Sequence, residues 1–308
     1  ETRPEEILSP EANVQTIAAE PVLEVIIPSG PTGACDQDEE WCEVRHDGEL
    51  KRIRFHDYAE VFSIPGLYER LFYEELACDS PRTVCSLLGQ ALRDENVPAG
   101  ELQVLDLGAG NGMVGEELVR LGAETVVGVD IIEEAAQAAE RDRPGVYDDY
   151  RVIDLTDPPA SDHRALSEHG FNCMTTVAAL GFGDIPPEAF TAAYDLVETD
   201  GWVAFNIKEE FVEDTDRSGF AELIQSGFDD GALELCSDRR YRHRLAADGD
   251  PIHYVAMVAR KRGDLALGGR LVDRVPAVPL VVGVDVGPAL DQQADAADAF
   301  QIVGSPWR

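Results

Sequence analysis

The sequence predicts an α/β protein: a doubly wound, mostly parallel seven-stranded sheet with an antiparallel C-terminal hairpin, plus an N-terminal hairpin and helical cap. Three observations predict this fold. Short apolar runs alternate with helical segments, a glycine-rich turn follows the first of these runs, and two long alternating segments come last. Parallel strands joined by helices are covered on both faces, which explains runs that are apolar throughout.

The glycine-rich turn is the most informative segment. The apolar run Val104–Leu107 reads as a buried strand, Gly108, Gly110 and Gly112 form the turn that leaves it, and a helical pattern continues from Glu116. Glycines lack side chains, so a flat ligand could lie directly against this backbone near the positive end of the helix.

Two acidic residues end the strands that follow. Asp130 ends the run that starts at Thr125, 22 positions after Gly108. An acid about 20 residues beyond a glycine turn is where ribose hydroxyls are bound. A helix is predicted over 133–141, and a short third strand over 150–155 contains Asp154.

The remaining pattern completes the sheet. A fourth strand is predicted over 172–178, a helix over 187–197, a fifth strand over 201–207, and a closing hairpin from 240–245 and 252–259. The residues between these last two segments, Asp248 to Pro251, are typical of a turn.

The spacing of the turn distinguishes two classes of nucleotide site. A dinucleotide fingerprint needs its third glycine one residue later, where Met113 stands, and the carboxylate of Asp106 would repel a pyrophosphate. An NAD-dependent oxidoreductase is therefore disfavoured. Asp106 with the three glycines instead resembles the first motif of the class I S-adenosylmethionine-dependent methyltransferases, and the resemblance covers roughly residues 101–262.

The resemblance implies S-adenosylmethionine as cofactor. It implies that Asp106 acts near the methionine ammonium group, directly or through water, that Asp130 binds the ribose, and that Asp154 with Leu155 contacts the adenine. The residues expected at the cofactor are Asp106, Gly108, Ala109, Gly110, Asn111, Gly112, Asp130, Ile131, Asp154 and Leu155.

The catalytic residues are less well specified, because methyl transfer is a one-step displacement that depends mainly on positioning. The candidates are Tyr58 in the cap, Lys208 at the end of the fifth strand and His243 in the hairpin. Lys208 could orient an anionic acceptor or pair with a neighbouring glutamate.

A basic run lies in the closing hairpin. Strand alternation predicts Arg240, Arg242 and Arg244 on one face, with Tyr241 and His243 on the other. These arginines would bind an anionic substrate or balance nearby acids.

Charge excludes some partners. Sixty acidic residues against 25 basic ones give a net charge of −35. Such a field repels phosphate backbones, so no nucleic-acid partner is expected. A saline host and a GC-rich genome that favours Arg over Lys both remain open as explanations.

The cysteines and the hydropathy bound the remaining classes. Six cysteines are too few for a disulfide scaffold, and their spacing predicts no metal site. No leader and no apolar run of 18 residues is found, so we expect a cytoplasmic protein without a membrane partner.

The chain divides into four predicted parts. Residues 1–40 form a mobile arm with a lone strand at 22–27. Residues 41–100 form a hairpin about Asp47-Gly48 and a helical cap, with helices over 57–62, 64–73 and 82–92. Residues 101–262 bind the cofactor, and 263–308 are a tail of uncertain structure in which 280–286 could add an edge strand.

Within the cap, the sequence favours packing for Phe62, Phe72 and Tyr73, whereas ligand contact and packing are equally expected for Tyr58 and Tyr68. The predicted activity is methyl transfer to a small or medium-sized acceptor. A protein methyltransferase and a non-catalytic regulator that binds the cofactor are the alternatives.

Overall fold

The computed structural model describes residues 23–28, 39–46, 48–180, 184–209 and 219–266. A small antiparallel sheet comes first in the chain, with β1 (Glu24–Ile26), β2 (Trp41–His46) and β3 (Glu49–Arg54) in that order. The strand predicted to stand alone therefore pairs with the hairpin, Glu24 lying opposite Arg45. Most of the predicted arm and of the tail, including 280–286, lies outside the described residues.

The large sheet confirms the predicted fold class. Its strands are β4 (Gln103–Leu107), β5 (Thr125–Asp130), β6 (Asp149–Val152), β7 (Phe171–Thr176), β8 (Val197–Lys208), β9 (Leu233–Leu245) and β10 (Pro251–Lys261). Their spatial order is β6-β5-β4-β7-β8-β10-β9. The first five are parallel, and β10 is antiparallel to both neighbours.

Helices cover both faces of this sheet. They are α1 (Tyr58–Ser63), a π-helix (Glu69–Glu75), α2 (Ser80–Asp94), α3 (Met113–Leu121), α4 (Glu133–Asp142), α5 (Ala160–Ser167), α6 (Pro187–Asp195) and α7 (Phe220–Asp229). One face buries Val84 of α2 and Leu118 of α3 with Trp202. The other buries Phe190 of α6 and Leu223 of α7 with Met174. Burial on both faces accounts for the continuous apolar runs.

Helix α2 shares its core with the large sheet, although the sequence grouped it with the cap. A separate cluster packs the cap on the small sheet, with Leu67, Leu71 and Phe55 fully buried. The cap thus has its own core, and it contacts the rest of the fold at α4 and at the end of β9.

Three local predictions need correction. The third strand ends at Val152: the Ile153 N–H makes the last bond to β5, at 2.9 Å from the Asp130 carbonyl, and the chain then turns at Asp154, which accepts the Thr156 N–H at 2.8 Å. The long cap helix is a π-helix, in which the Leu76 N–H bonds to the carbonyl of Leu71, five residues back. The hairpin strands are longer than predicted.

The fourth correction concerns the basic run of β9. A register irregularity between Ile252 and His253 of β10 breaks the alternation that the sequence predicted. As a result His243 and Arg244 are both buried, with 5% and 2% of their surfaces exposed. The arginines therefore do not share one face.

Candidate functional site

The glycine turn lies where the strand order reverses, at the carboxyl end of β4 between β5 and β7. Gly108 and Gly110 have φ of +72° and +53°, a conformation that a side chain disfavours. A Cβ atom on Gly108 would lie 2.9 Å from Ile185 Cδ1 and 3.0 Å from Ala179 Cβ. The backbone here consequently forms a wall that only glycine permits.

Asp130 stands beside this wall. Its Oδ2 accepts a hydrogen bond from the Gly110 N–H at 2.9 Å, and its Oδ1 accepts one from the Ile132 N–H at 3.0 Å. The pKa of Asp130 is raised, because the effect of burial is larger than the opposite effect of these backbone hydrogen bonds. Each oxygen keeps a lone pair for a further donor, so the carboxylate is fixed in direction and can still bind a hydroxyl.

The turn and Asp130 open onto a cavity of about 160 Å³, here called the first cavity. Six of the ten predicted cofactor residues line it: Gly108, Gly110, Asp130, Ile131, Asp154 and Leu155. Asp154 is exposed, and its carboxylate accepts two local hydrogen bonds, from the Thr156 N–H at 2.8 Å and from Thr156 Oγ1 at 2.7 Å. Both hydrogen bonds lower the pKa of Asp154.

The other four predicted residues, Asp106, Ala109, Asn111 and Gly112, do not line the first cavity. Asp106 is fully buried, and it accepts hydrogen bonds from Tyr147 Oη at 2.8 Å and Thr175 Oγ1 at 2.6 Å. Tyr147 Oη also lies 3.1 Å from the Ala109 carbonyl. Burial raises the pKa of Asp106 to about 7, although both hydroxyls lower it. The carboxyl therefore supports the turn from beneath.

A polar cluster joins the turn to the cap. Asn111 Nδ2 and an Arg143 guanidinium nitrogen each donate to Glu69 Oε1 at 2.7 Å. Arg143 also donates to the Asn111 carbonyl at 3.1 Å. Glu69 begins the π-helix, next to Tyr68, whose ring lines the first cavity. Nothing in the sequence pattern singled out Glu69 or Arg143.

Aromatic rings of the cap cover the first cavity. Tyr58, Phe62 and Tyr68 line it, with ring centroids 6.1 Å apart for Tyr58 and Phe62 and 4.9 Å apart for Phe62 and Tyr68. Packing is the interpretation that the sequence favours for Phe62, and the structure shows two contacts: Phe62 packs on Ala135 and Ala138 of α4, and it lines the first cavity.

A second, smaller cavity of about 30 Å³ adjoins the first. Tyr58, Tyr68, Ala178, Ala179 and Asp184 line both. The second cavity adds two histidines, His56 and His243, and the side chains of Phe72, Cys78, Leu180, Arg244 and Tyr254.

The three catalytic candidates are placed differently. Tyr58 lines both cavities, and burial, with a contribution from Asp184, raises its pKa well above the usual range. His243 lines the second cavity, and burial, followed by Arg244, lowers its pKa well below the usual range. Lys208 ends β8 and lines neither cavity.

Two arginines of the basic run, Arg240 and Arg244, form ion pairs with glutamates and so balance nearby negative charge. Arg240 forms two hydrogen bonds with Glu209, at 2.6 and 2.9 Å. Arg244 forms a buried ion pair with Glu40 at 2.5 Å.

In the described part of the chain no group of three or more His, Cys, Asp or Glu side chains could hold a metal ion. No helix of that part is long and apolar enough to cross a bilayer.

Residues 74–245, more than half of the chain, match the model of a methyltransferase domain family. The chain belongs to this family and is an enzyme of the methyltransferase class. The resemblance to the class I S-adenosylmethionine-dependent methyltransferases is thereby confirmed. No curated protein sequence matches the chain.

Several solved structures are similar. The N-methyltransferase NodS from Bradyrhizobium japonicum, in complex with S-adenosylhomocysteine, is 11% identical, with a TM-score of 0.46 over 67% of this chain and 97% of that one. A putative RNA methyltransferase from Pyrococcus horikoshii is 15% identical, with a TM-score of 0.44 over 60% and 86%. Magnesium protoporphyrin IX methyltransferase from Synechocystis with bound S-adenosylmethionine is 15% identical, with a TM-score of 0.41 over 59% and 79%.

Proposed function

We propose that this chain binds S-adenosylmethionine in the first cavity and transfers its methyl group to a small or medium-sized acceptor by in-line displacement. One observation carries the proposal. The partly buried carboxylate of Asp130 is fixed beside the side-chain-free backbone of Gly108 and Gly110, at the carboxyl edge of the sheet where the strand order reverses.

The residues of the first cavity fit this cofactor. Asp130 would accept the ribose hydroxyls with its remaining lone pairs. Ile131 and Leu155 supply apolar walls for a flat base, and Asp154 lies at the cavity wall within reach of an amino group. A Cβ on Gly108 would press on Ile185 and Ala179, which also line this cavity. The bound cofactor supplies an electrophilic methyl carbon.

Asp106 has an indirect role in this proposal. It is fully buried and bonded to Tyr147 and Thr175, so it holds the turn in place and does not contact the ammonium group itself. The structure of the cap favours a small acceptor over a large one. The rings of Tyr58, Phe62 and Tyr68 cover the first cavity, and the second cavity beside it is small.

The proposal is tested by ligand-induced thermal stabilisation. S-adenosylhomocysteine at 100 times its dissociation constant should stabilise the protein by about 2.7 kcal/mol, and NAD should not. Asp130→Asn should weaken S-adenosylhomocysteine binding at least tenfold, since hydrogen bonds to a charged group contribute about 1.5–3 kcal/mol each.

Asp157→Asn is the matched control, because Asp157 is exposed and lines neither cavity. The affinity of this variant for S-adenosylhomocysteine should equal that of the wild type. Stabilisation by NAD alone would refute the proposal. Binding of S-adenosylmethionine without methylation of any compound in a cell extract would favour a non-catalytic regulator.

A further inference from the structure

A chain of buried hydrogen bonds runs behind the wall of the second cavity. It begins at Ala178, which lines both cavities and has a φ of +57°. The Ala178 N–H can only donate, and it donates to Asn206 Oδ1 of β8 at 2.7 Å, which fixes the orientation of that amide. Asn206 is fully buried, and its Nδ2 donates to Tyr241 Oη at 2.6 Å and to Ser80 Oγ at 3.2 Å.

These donors determine where the remaining protons of the chain lie. Tyr241 Oη accepts from Asn206, so its own proton goes to Ser80 Oγ, which is 2.6 Å away. Ser80 Oγ then accepts twice, and its one proton is left for His243 Nδ1 at 2.6 Å. The opposite direction would leave the phenol proton of Tyr241 without an acceptor, which is costly inside a protein. Nδ1 of His243 is therefore an acceptor.

We propose that the neutral ring of His243 carries its proton on Nε2 and presents this N–H to the second cavity, where it binds an uncharged oxygen of the methyl acceptor. The binding of the acceptor rests on the proposed function, whereas the position of the proton does not.

The surroundings of His243 support both parts of the proposal. Burial, followed by Arg244, lowers the pKa of His243 well below the usual range, so the ring holds one proton only. Within the described residues, the side-chain hydrogen bonds of His243 are made by Nδ1, to Ser80 Oγ and more weakly to the Cys78 sulfur at 3.8 Å. One face of the ring stacks on Tyr254 at 4.1 Å. The Nε2 edge is left for the cavity that His243 lines.

The size and charge of the second cavity indicate the group that it binds. A volume of about 30 Å³ corresponds to two or three water molecules at about 10–15 Å³ each, which suits one carbonyl or amide group. A carboxylate would be repelled by Asp184 on the same wall, and the guanidinium of Arg244 is already paired with Glu40. The bound oxygen is a recognition group and is not the atom methylated, because a lone pair that accepts a hydrogen bond is a weaker nucleophile.

The position of the proton is tested on the full chain without ligand, by nitrogen–proton correlation NMR of the histidine rings. His243→Gln assigns the signals, and the wild type should show a protonated Nε2 and an unprotonated Nδ1. Ser80→Ala removes the donor to Nδ1, so the Nδ1 resonance should move and a second tautomer should appear. The wild-type spectrum alone decides the tautomer, so the test stands even if this variant does not fold.

Tyr241→Phe is the matched control for Ser80→Ala. It removes a hydroxyl from the same buried chain, but Asn206 still donates to Ser80 and Ser80 still donates to His243 Nδ1. The His243 tautomer of this variant should therefore be that of the wild type. The ring signals of exposed His163 should be the same in all of these proteins.

Recognition of the acceptor is tested with small probes on protein saturated with S-adenosylhomocysteine. Acetamide offers an uncharged carbonyl oxygen and should move the Nε2–H signal of His243 until it saturates. Acetate has the same shape and should bind more weakly by about threefold or more, because Asp184 repels its charge. Ethylammonium has no accepting atom and should not move this signal.

A His243 ring with its proton on Nδ1, or wild-type nitrogen signals in Ser80→Ala, would overturn the inference. It would also be overturned by an acetamide titration without a saturable shift, or by a shift at lower concentration with acetate or ethylammonium than with acetamide. Failure to bind S-adenosylhomocysteine would instead refute the proposed function, and the spectrum of the ligand-free chain would still decide the position of the proton.

Discussion

The carboxyl of Asp106 is buried below the glycine turn, where water cannot stabilise its charge. Burial raises its pKa from 3.8 to about 7, so the folded chain holds a proton that the unfolded chain releases. The resulting stability is complete below pH 3.8 and is lost as the pH rises through 7.

The unfolding free energy of the wild type should therefore fall between pH 4 and pH 8, by up to about 4 kcal/mol at 1.36 kcal/mol per pKa unit. Asp106→Asn has no titrating carboxyl at this position, so its unfolding free energy should fall by less over the same range. Urea denaturation of both proteins across this range measures the difference. Parallel curves for the two proteins would mean that the hydroxyls of Tyr147 and Thr175 keep the carboxyl ionised.

Gly108 has a positive φ and also has close neighbours. Comparing its replacement with that of a glycine that has only the positive φ separates backbone strain from steric contact. Gly108→Ala should lower the melting temperature and also weaken S-adenosylhomocysteine binding at least tenfold, because its Cβ would push against Ile185 and Ala179. Gly249→Ala is matched in strain, with φ +94° and no atom within 4 Å. Calorimetric titration should show full affinity for the control; an equal loss in both variants would contradict the assigned role.

Among the elements, the small sheet is attached to the large one by the ion pair of Glu40 and Arg244. Both side chains are almost completely buried, and Glu40 Oε1 also accepts the Ala247 N–H at 2.6 Å. Glu40 precedes β2, and Arg244 lies near the end of β9. A buried pair of this kind fixes the relative placement of two elements more than it adds net stability.

Glu40→Gln should lower the unfolding free energy by about 3–5 kcal/mol, because it leaves a buried guanidinium without its counter-charge. The double variant Glu40→Gln/Arg244→Met should lose less, since the uncompensated charge is gone. Glu24→Gln breaks the exposed pair with Arg45, whose side chains are 51% and 48% exposed, and should cost about 1 kcal/mol or less. A similar cost for all three in urea denaturation would argue against a structural role for the buried pair.

For the molecule as a whole, the sequence specified what periodicity and local turn chemistry control. The succession of strands and helices along the chain, the glycine turn and the position of Asp130 at the end of β5 follow from apolar runs and spacing. Long-range contacts were not predictable. The register irregularity that buries His243 and Arg244 depends on pairing with β10, and the bonds of Glu69 to Asn111 and Arg143 join segments far apart in the chain.

The site shows the same division. Six predicted residues line the first cavity, whereas Asp106 does not, because whether a strand-end side chain points up to the edge or into the core depends on its neighbours Tyr147 and Thr175. Asp184 lines the cavities from the loop between β7 and α6, and Phe62 lines the first cavity from α1; which side chains of these segments face a cavity depends on tertiary packing.

The net charge of −35 acts on the molecule as a whole. Sixty acidic side chains repel one another in the compact state and less in the expanded chain, so screening should favour folding. Raising NaCl from 0.01 to 1 M shortens the screening length from about 30 Å to about 3 Å. We expect the melting temperature to rise by several degrees, measured by circular dichroism without ligand. KCl should give the same rise, because screening does not depend on the cation. A fall would show that weakened ion pairs outweigh repulsion, and a rise with one cation alone would indicate specific binding of that ion.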